Sequence, residues 1–258
     1  MKVLLLGSSG FIGKSLASKI ETLHQLVKVD RETNLEALFS SEMIYDFVVN
    51  CASSAPTAHS SQSHESNFKY PMQFFNQIKF AHWIQIDSYF QLQIPMGRND
   101  PYSLDKQRFS TFLDAEANSR ICPAIHHLFM PHVFGEGDRP GRLVSSAVST
   151  FAMANTLESS SGSQFLPLLH ISDAVSGIVK FIENPTATAA CPPFWYGNVR
   201  ELIELIASQF YEPRVIYGQR QDPIDARFPR VEFPQCVEGW QPKMQLNEFL
   251  EWVKVQSG

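Results

Sequence analysis

Close to the start of the chain, an apolar run stops on a glycine pattern, and that junction narrows the possible folds more than any other feature. Val3-Leu4-Leu5-Leu6 reads as a short buried strand. Gly7-Ser8-Ser9-Gly10-Phe11-Ile12-Gly13 follows as GxxGxxG, and Phe11, Ile12, Leu16 and Ile20 then recur at helical spacing. Strand, glycine turn and helix in that order form a phosphate cradle. Gly7 permits the tight turn, Gly10 lets the backbone approach a pyrophosphate, and Gly13 lets helix and strand pack closely. The helix N-terminus supplies N–H donors and partial positive charge. Gly7, Ser9, Gly10, Phe11, Ile12 and Gly13 are therefore the expected contacts of a dinucleotide.

The alternation continues. Leu26–Val29, Phe47–Cys51, Trp83–Ile86 and Ile125–Phe129 read as strands, and Glu36–Ser40, Phe68–Phe80 and Tyr102–Ala117 as helices. Ser53–Ser66, rich in serine, reads as a loop. Strands alternating with helices predict an α/β fold with a doubly wound parallel sheet. Beyond Gly135 the pattern loosens into a turn-rich loop over 135–141, helices over 143–153, 172–183 and 199–210, and a flexible connector, Ser159-Ser160-Ser161-Gly162-Ser163. The expected organisation is a dinucleotide-binding domain over 1–135 and a smaller, mostly helical substrate lobe over 136–258, interleaved with the end of the sheet in a single compact unit.

With 258 residues, 44% of them hydrophobic, the chain can bury a core of that size. A net charge of −5 offers no basic face for nucleic acid. Cys51, Cys122, Cys191 and Cys236 lack CxxC pairing, so they predict neither a zinc site nor a disulfide framework but reduced thiols. The first apolar run is too short for a signal peptide and no later one reaches membrane-spanning length; a cytoplasmic protein without a membrane partner is expected.

Two constellations point to chemistry. Asp30 closes the second strand, where a carboxylate would hold the adenosine ribose of NAD. Arg31 beside it would instead pair with the 2′-phosphate of NADP. The cofactor is thus NADP or NAD, leaning to NADP. Tyr102 and Lys106 stand at i and i+4 on one helical face. A phenol, with an ordinary pKa of about 10, is a poor proton donor at neutral pH, and a neighbouring ammonium favours its anion. Ser88 follows a strand, at the carboxyl edge where ligands bind, and is placed to hold the substrate carbonyl that Tyr102 protonates. Lys106 would also reach the nicotinamide ribose. Cys122 and His126-His127 read as packing and strand-end residues.

On these residues the chain resembles the extended short-chain dehydrogenases/reductases of the NAD-dependent epimerase/dehydratase family, over nearly its whole length. GSSGFIG is that family's glycine pattern, and the resemblance implies a Rossmann fold. Asn50-Cys51-Ala52 is similar to its NxA strand end, which implies that Cys51 and Ala52 border the cofactor; Asn67 is similar to the asparagine opening the following helix. Asp30–Leu35 resembles the shortened crossover of dTDP-4-dehydrorhamnose reductases and GDP-fucose synthases, implying that Asn34 and Leu35 lie near the adenine. Ile86-Asp87-Ser88-Tyr89-Phe90 and His132–Asp138 resemble the CDP-abequose and CDP-paratose synthase group, which reduces 4-keto sugar nucleotides with NADPH. That likeness implies catalysis by Ser88, Tyr102 and Lys106, with His132 facing the substrate and Arg142 meeting a nucleotide phosphate. Leu169–Asp173 and Gly239–Lys243 fit the same class.

Two departures stand out. Leu166-Pro167 occupy the place of the family's usual Arg-Asp, removing a bidentate phosphate partner. The interval from Ser88 to Tyr102 is also short. A nucleotide-sugar ketoreductase, an epimerase or dehydratase with transient hydride transfer, and a non-catalytic NAD(P)-binding module all remain open. The resemblance further implies a homodimer through the helices over 68–80 and 102–117.

Overall fold

A computed structural model describes residues 1–54, 59–118 and 124–256. The chain runs β1 (Lys2–Leu6), α1 (Phe11–Ile20), β2 (Gln25–Val29), α2 (Leu35–Phe39), β3 (Ile44–Asn50), α3 (Ser60–His64), a π turn (Glu65–Lys69), α4 (Tyr70–Gln77), β4 (Lys79–Ser88), a 3-10 turn (Gln91–Met96), α5 (Pro101–Ala117) and β5 (Ala124–Met130). It continues through β6 (His132–Phe134), α6 (Leu143–Ala152), β7 (Thr156–Glu158), β8 (Phe165–His170), α7 (Ile171–Glu183), β9 (Thr188–Ala190), β10 (Trp195–Asn198), α8 (Val199–Ala207), β11 (Arg214–Ile216) and α9 (Leu246–Gln256).

Two compact units share this chain. The first comprises Met1–Met130, Val175–Cys191 and Phe233–Trp240; the second comprises Pro131–Ala174, Pro192–Glu232 and Gln241–Gly258. The chain leaves the first unit after Met130 and re-enters it at Val175 and again at Phe233.

The first unit is a sheet ordered β2-β1-β3-β4-β5-β9, every neighbouring pair parallel. Leu4, Leu6, Val29, Tyr45, Val48, Phe74, Trp83, Phe109 and Leu113 form one buried cluster on it. After β1 the chain crosses to β2 on one side and then to β3 on the other, so the carboxyl ends of β1 and β3 flank a topological switch point, where open α/β sheets bind ligands. The doubly wound parallel sheet is as the alternating pattern predicts.

Two elements differ from expectation. The helix begins at Ser60, inside the segment read as a loop, because tertiary contacts override the poor helix propensity of serine. The Ser63 hydroxyl, fully buried, accepts from Asn67 Nδ2 at 3.1 Å, and His64 reaches Asp105 of α5 at 3.1 Å. At its other end Ile78 is extended, and Lys79 and Phe80 pair with Ile44 and Tyr45 of β3 instead of prolonging α4.

Helices α6 and α8, as expected, and α9, which is not among the expected helices, dominate the second unit beside a three-stranded sheet, β10-β8-β6, and a pair, β11-β7. Pro167 lies in the central strand of the former. It precedes the stretch of β8 that pairs with β6, which begins at Leu168, so its missing N–H breaks no bond there. The serine connector is pinned, not flexible: Ser159 N–H donates to Ile216 O at 3.0 Å, Ser161 N–H to Asp222 Oδ1 at 2.8 Å, and Arg200 N–H to Gly162 O at 2.9 Å. Asn198 caps α8 reciprocally with Glu201. We expect Asn198→Ala to cost about 1 kcal/mol, read as a lower denaturant midpoint at unchanged slope.

Candidate active site

The glycine turn behaves as its spacing demands. Gly7 has φ +77°, and a Cβ there would lie 2.7 Å from both Cα and N of Ala52, so the ends of β1 and β3 touch. A Cβ on Gly13 would sit 2.0 Å from Gly7 O, which is how closely α1 rests on the turn. Around Gly10 a Cβ would meet only Gly7 O, at 3.2 Å. Gly10 caps α1 without any side-chain hydrogen bond, and the first turn holds no acidic residue. An exposed glycine face and amides lacking a side-chain acceptor, at the positive end of a helix, fit a dinucleotide pyrophosphate. Ser9 is exposed, and Phe11 and Ile12 are half-buried.

Asp30 folds its carboxylate into its own turn. Oδ1 accepts from Glu32 N–H at 3.0 Å and from Thr33 Oγ1 at 3.2 Å, while Arg31 is exposed. Asn34 serves as the N-cap of α2, accepting from Ala37 N–H at 3.1 Å, and Leu35 packs on the core. At the end of β3, Asn50 Oδ1 accepts from Ala52 N–H at 3.1 Å and Nδ2 donates to Gln85 Oε1 at 2.8 Å; this side chain shapes the strand end that carries Cys51. Burial pushes the Cys51 thiol up to about 12, against a weaker opposing pull from Lys106. A thiol so held is inert as a nucleophile at neutral pH.

Ser88 is the last residue of β4 and is buried. Its Oγ accepts from Phe90 N–H at 3.3 Å, which leaves the hydroxyl hydrogen free to donate elsewhere. The Phe90 ring meets the Tyr102 ring edge-on, centroids 6.1 Å apart. Lys106, one turn along α5 from Tyr102, is buried; its Nζ donates to Ile86 O at 2.8 Å and lies 5.8 Å from the Tyr102 ring centroid. The structure therefore gathers all three nominated residues around the end of β4.

What holds them there comes from residues between Ser88 and Tyr102. Asp100 caps α5, accepting from Ser103 N–H at 3.0 Å, and the Asp100-Pro101 step is a helix-start signature that could have announced it. Arg98 is a buried guanidinium that donates to Gln93 Oε1 at 2.7 Å and Ser103 Oγ at 2.8 Å, pairs with Asp100, and lies 3.7 Å from the Phe90 ring centroid. No local pattern signals it. It fills the short interval between Ser88 and Tyr102.

His132 and Arg142 lie in the second unit. Arg142 Nη2 reaches His132 Nε2 at 2.9 Å and donates to Val133 O at 3.2 Å, and Nε lies 3.4 Å from Asp138 Oδ2. Burial, and then the Arg142 charge, hold His132 well below the usual histidine range. His126 and His127 are strand residues, as expected: His126 lies 3.0 Å from His82 and 2.8 Å from Thr186 O, and His127 2.7 Å from Asp87. Cys122 lies outside the described residues. Cys51, Cys191 and Cys236 are unbridged, and among the described residues no His, Cys, Asp and Glu cluster could hold a metal. No helix among them is long and apolar enough to cross a membrane.

Comparison with known proteins places the chain in a family and a fold. Residues 3–191 match the model of the NAD dependent epimerase/dehydratase family. CDP-abequose synthase of Yersinia pseudotuberculosis is 25% identical over 215 residues, 71% of this chain and 74% of that one. RMD of Pseudomonas aeruginosa, solved with NADPH, superposes with a TM-score of 0.80 at 17% identity, covering 99% of this chain and 98% of that one. UDP-glucose 4-epimerase of Thermotoga maritima, solved with UDP-glucose, gives 0.84 at 16% identity, covering 100% and 97%. Those two structural likenesses establish the fold.

Proposed function

The chain belongs to the NAD dependent epimerase/dehydratase family, and on that premise we propose that it is an NADPH-dependent reductase of a keto group on a nucleotide-activated deoxysugar. The observation that carries this reading is the arrangement at the end of β4: Ser88 with a hydrogen to donate, and Lys106 buried on the face of α5 that carries Tyr102. Bound NADPH supplies a hydride. The protein's part is to hold and protonate the acceptor. Ser88 Oγ donates to the substrate's carbonyl oxygen, Tyr102 delivers its proton to that oxygen as negative charge develops, and the Lys106 ammonium stabilises the resulting phenolate. The likeness to CDP-abequose synthase favours a CDP-linked 4-keto sugar.

The decisive experiment is a panel of CDP-, dTDP-, UDP- and GDP-linked 4-keto sugars with NADPH. Stoichiometric loss of NADPH absorbance with the CDP sugar supports the reading; turnover that leaves NADPH unchanged makes the chain an epimerase or dehydratase, and absence of turnover with every sugar makes it a binding module.

NADPH is favoured over NADH because Asp30 is engaged within its own turn while Arg31 is exposed beside it. Arg31→Ala should weaken NADPH about tenfold and leave NADH nearly unchanged in fluorescence titrations, the loss of one charge-assisted phosphate contact. Equal weakening of both would assign Arg31 no part in the choice. Half-buried Phe75 of α4 and Phe112 of α5, 5.3 Å apart, support a homodimer through these helices, to be read by light scattering.

A further inference from the structure

Behind the end of β4 runs a buried chain of polar groups that the reduction itself does not use. Ser88 N–H donates to Gln91 Oε1 at 2.8 Å, and Gln91 Nε2 donates to Ser110 Oγ at 3.2 Å. Ser110 Oγ donates to Asp87 Oδ1 at 3.0 Å or to Lys106 O at 3.1 Å. Asp87 Oδ2 lies 2.7 Å from His127 Nδ1, and His127 Nε2 lies 3.3 Å from Asp114 Oδ1. Asp87, Gln91, Ser110 and His127 are all buried, and only Asp114 reaches solvent. The chain joins β4, the 3-10 turn, α5 and β5, the elements that carry Ser88, Tyr102 and Lys106.

We propose that Gln91, Ser110 and the Asp87–His127 pair are positioning residues for Ser88, and that this hydrogen-bond chain transmits the charge state of His127 to the Ser88 peptide. A buried carboxylate is tolerated only when it is paired and hydrogen-bonded, and Asp87 obtains both from Ser110 and His127. Among the described residues, the groups facing His127 are Asp87 from β4 and Asp114 from α5; its neighbour His126 adds a like charge when protonated, His126 in turn meets His82 of β4, and the Ala187 carbonyl, just before β9, accepts from the His127 backbone N–H. Burial opposes charging the His127 ring, but hydrogen bonding to Asp87 and the charges of Asp87 and Asp114 outweigh it and raise its pKa above the ordinary value. With His127 protonated and Asp87 ionised, the 2.7 Å contact is an ion pair as well as a hydrogen bond; as pH climbs through the folded-state pKa of His127 the ion pair is lost and only the hydrogen bond remains, so the brace loosens. Looser positioning of Ser88 lowers the rate of the protonation-coupled step more than it lowers binding.

The test has two arms, because the catalytic consequence rests on the reductase reading. In the first, the Ser88 amide resonance is followed against pH in the full protein, with the His127 ring titrated in the same samples. It should track His127 in the wild type and stop tracking it in Gln91→Leu, which removes the link while keeping the volume. An amide indifferent to the His127 titration overturns the proposal whether or not the protein is an enzyme. In the second, NADPH oxidation by a CDP-linked 4-keto sugar is measured. Gln91→Leu and His127→Gln should each lower kcat about tenfold with KM and NADPH affinity within about twofold of wild type. In His127→Gln the alkaline loss of kcat should disappear. If melting temperature falls while kcat per folded molecule and its pH profile stay put, the chain only supports the fold and the positioning role is wrong. Lack of wild-type turnover with an intact amide coupling would count against the reductase reading alone.

Discussion

Tyr102→Phe should bind NADPH as tightly as the wild type and lose about a thousandfold in turnover, within the range that one general acid contributes. The ring is the part that packs, edge-on to Phe90, and phenylalanine keeps it. Only the hydroxyl goes, and with it the proton for the substrate's oxygen. Cofactor fluorescence and melting temperature should therefore hold while NADPH oxidation stops. Turnover that persists near the wild-type rate would show that another group protonates the product, and the role assigned to Lys106 would fall with that of Tyr102.

Gly13→Ala is the second large effect, of a different kind. Its Cβ would lie 2.0 Å from the Gly7 carbonyl oxygen and 2.9 Å from Gly7 C, against backbone that has no rotamer with which to retreat. Either α1 lifts from the end of β1 or the glycine turn opens. Overpacking of this kind costs about 1–3 kcal/mol, and a turn pulled out of shape no longer aims its amides at a pyrophosphate. We expect a lower melting temperature together with at least a tenfold loss of NADPH affinity, of the order that a displaced charge-assisted contact costs. Gly137→Ala makes a useful contrast. Its φ of +83° strains an alanine, but a Cβ there meets nothing within 4 Å, so a modest stability cost without loss of cofactor binding is expected. Equal behaviour of the two variants would argue against close packing as the reason for Gly13.

Local chemistry was legible wherever one short stretch contains its own reason. The cradle is such a case, since turn, anion site and helix packing all depend on glycines at fixed spacing. The Tyr102–Lys106 pair is another, because one helical turn fixes which side chains share a face. Some local signals were ambiguous. Asn34 stands before Leu35 as a residue resembling one near an adenine, and the structure shows that it also caps α2. Serine-rich 60–66 has little helix propensity, yet Ser63 and Asn67 find partners that exist only once the chain is folded.

Strand order, the hold on Ser88 and the seat of Tyr102 belong to the other kind. Gln91 matters because Ser110, nineteen places on, stands opposite it, and Asp87 because His127, forty places on, brings a ring nitrogen to its carboxylate. Arg98 looks like any loop arginine until Gln93, Asp100, Ser103 and the Phe90 ring close around it. Periodicity and turn chemistry act over a few residues, so they write themselves into the order of amino acids. The satisfaction of a buried charge depends on which strands and helices meet in space, and that is decided only when the parallel sheet brings β4, β5 and α5 together.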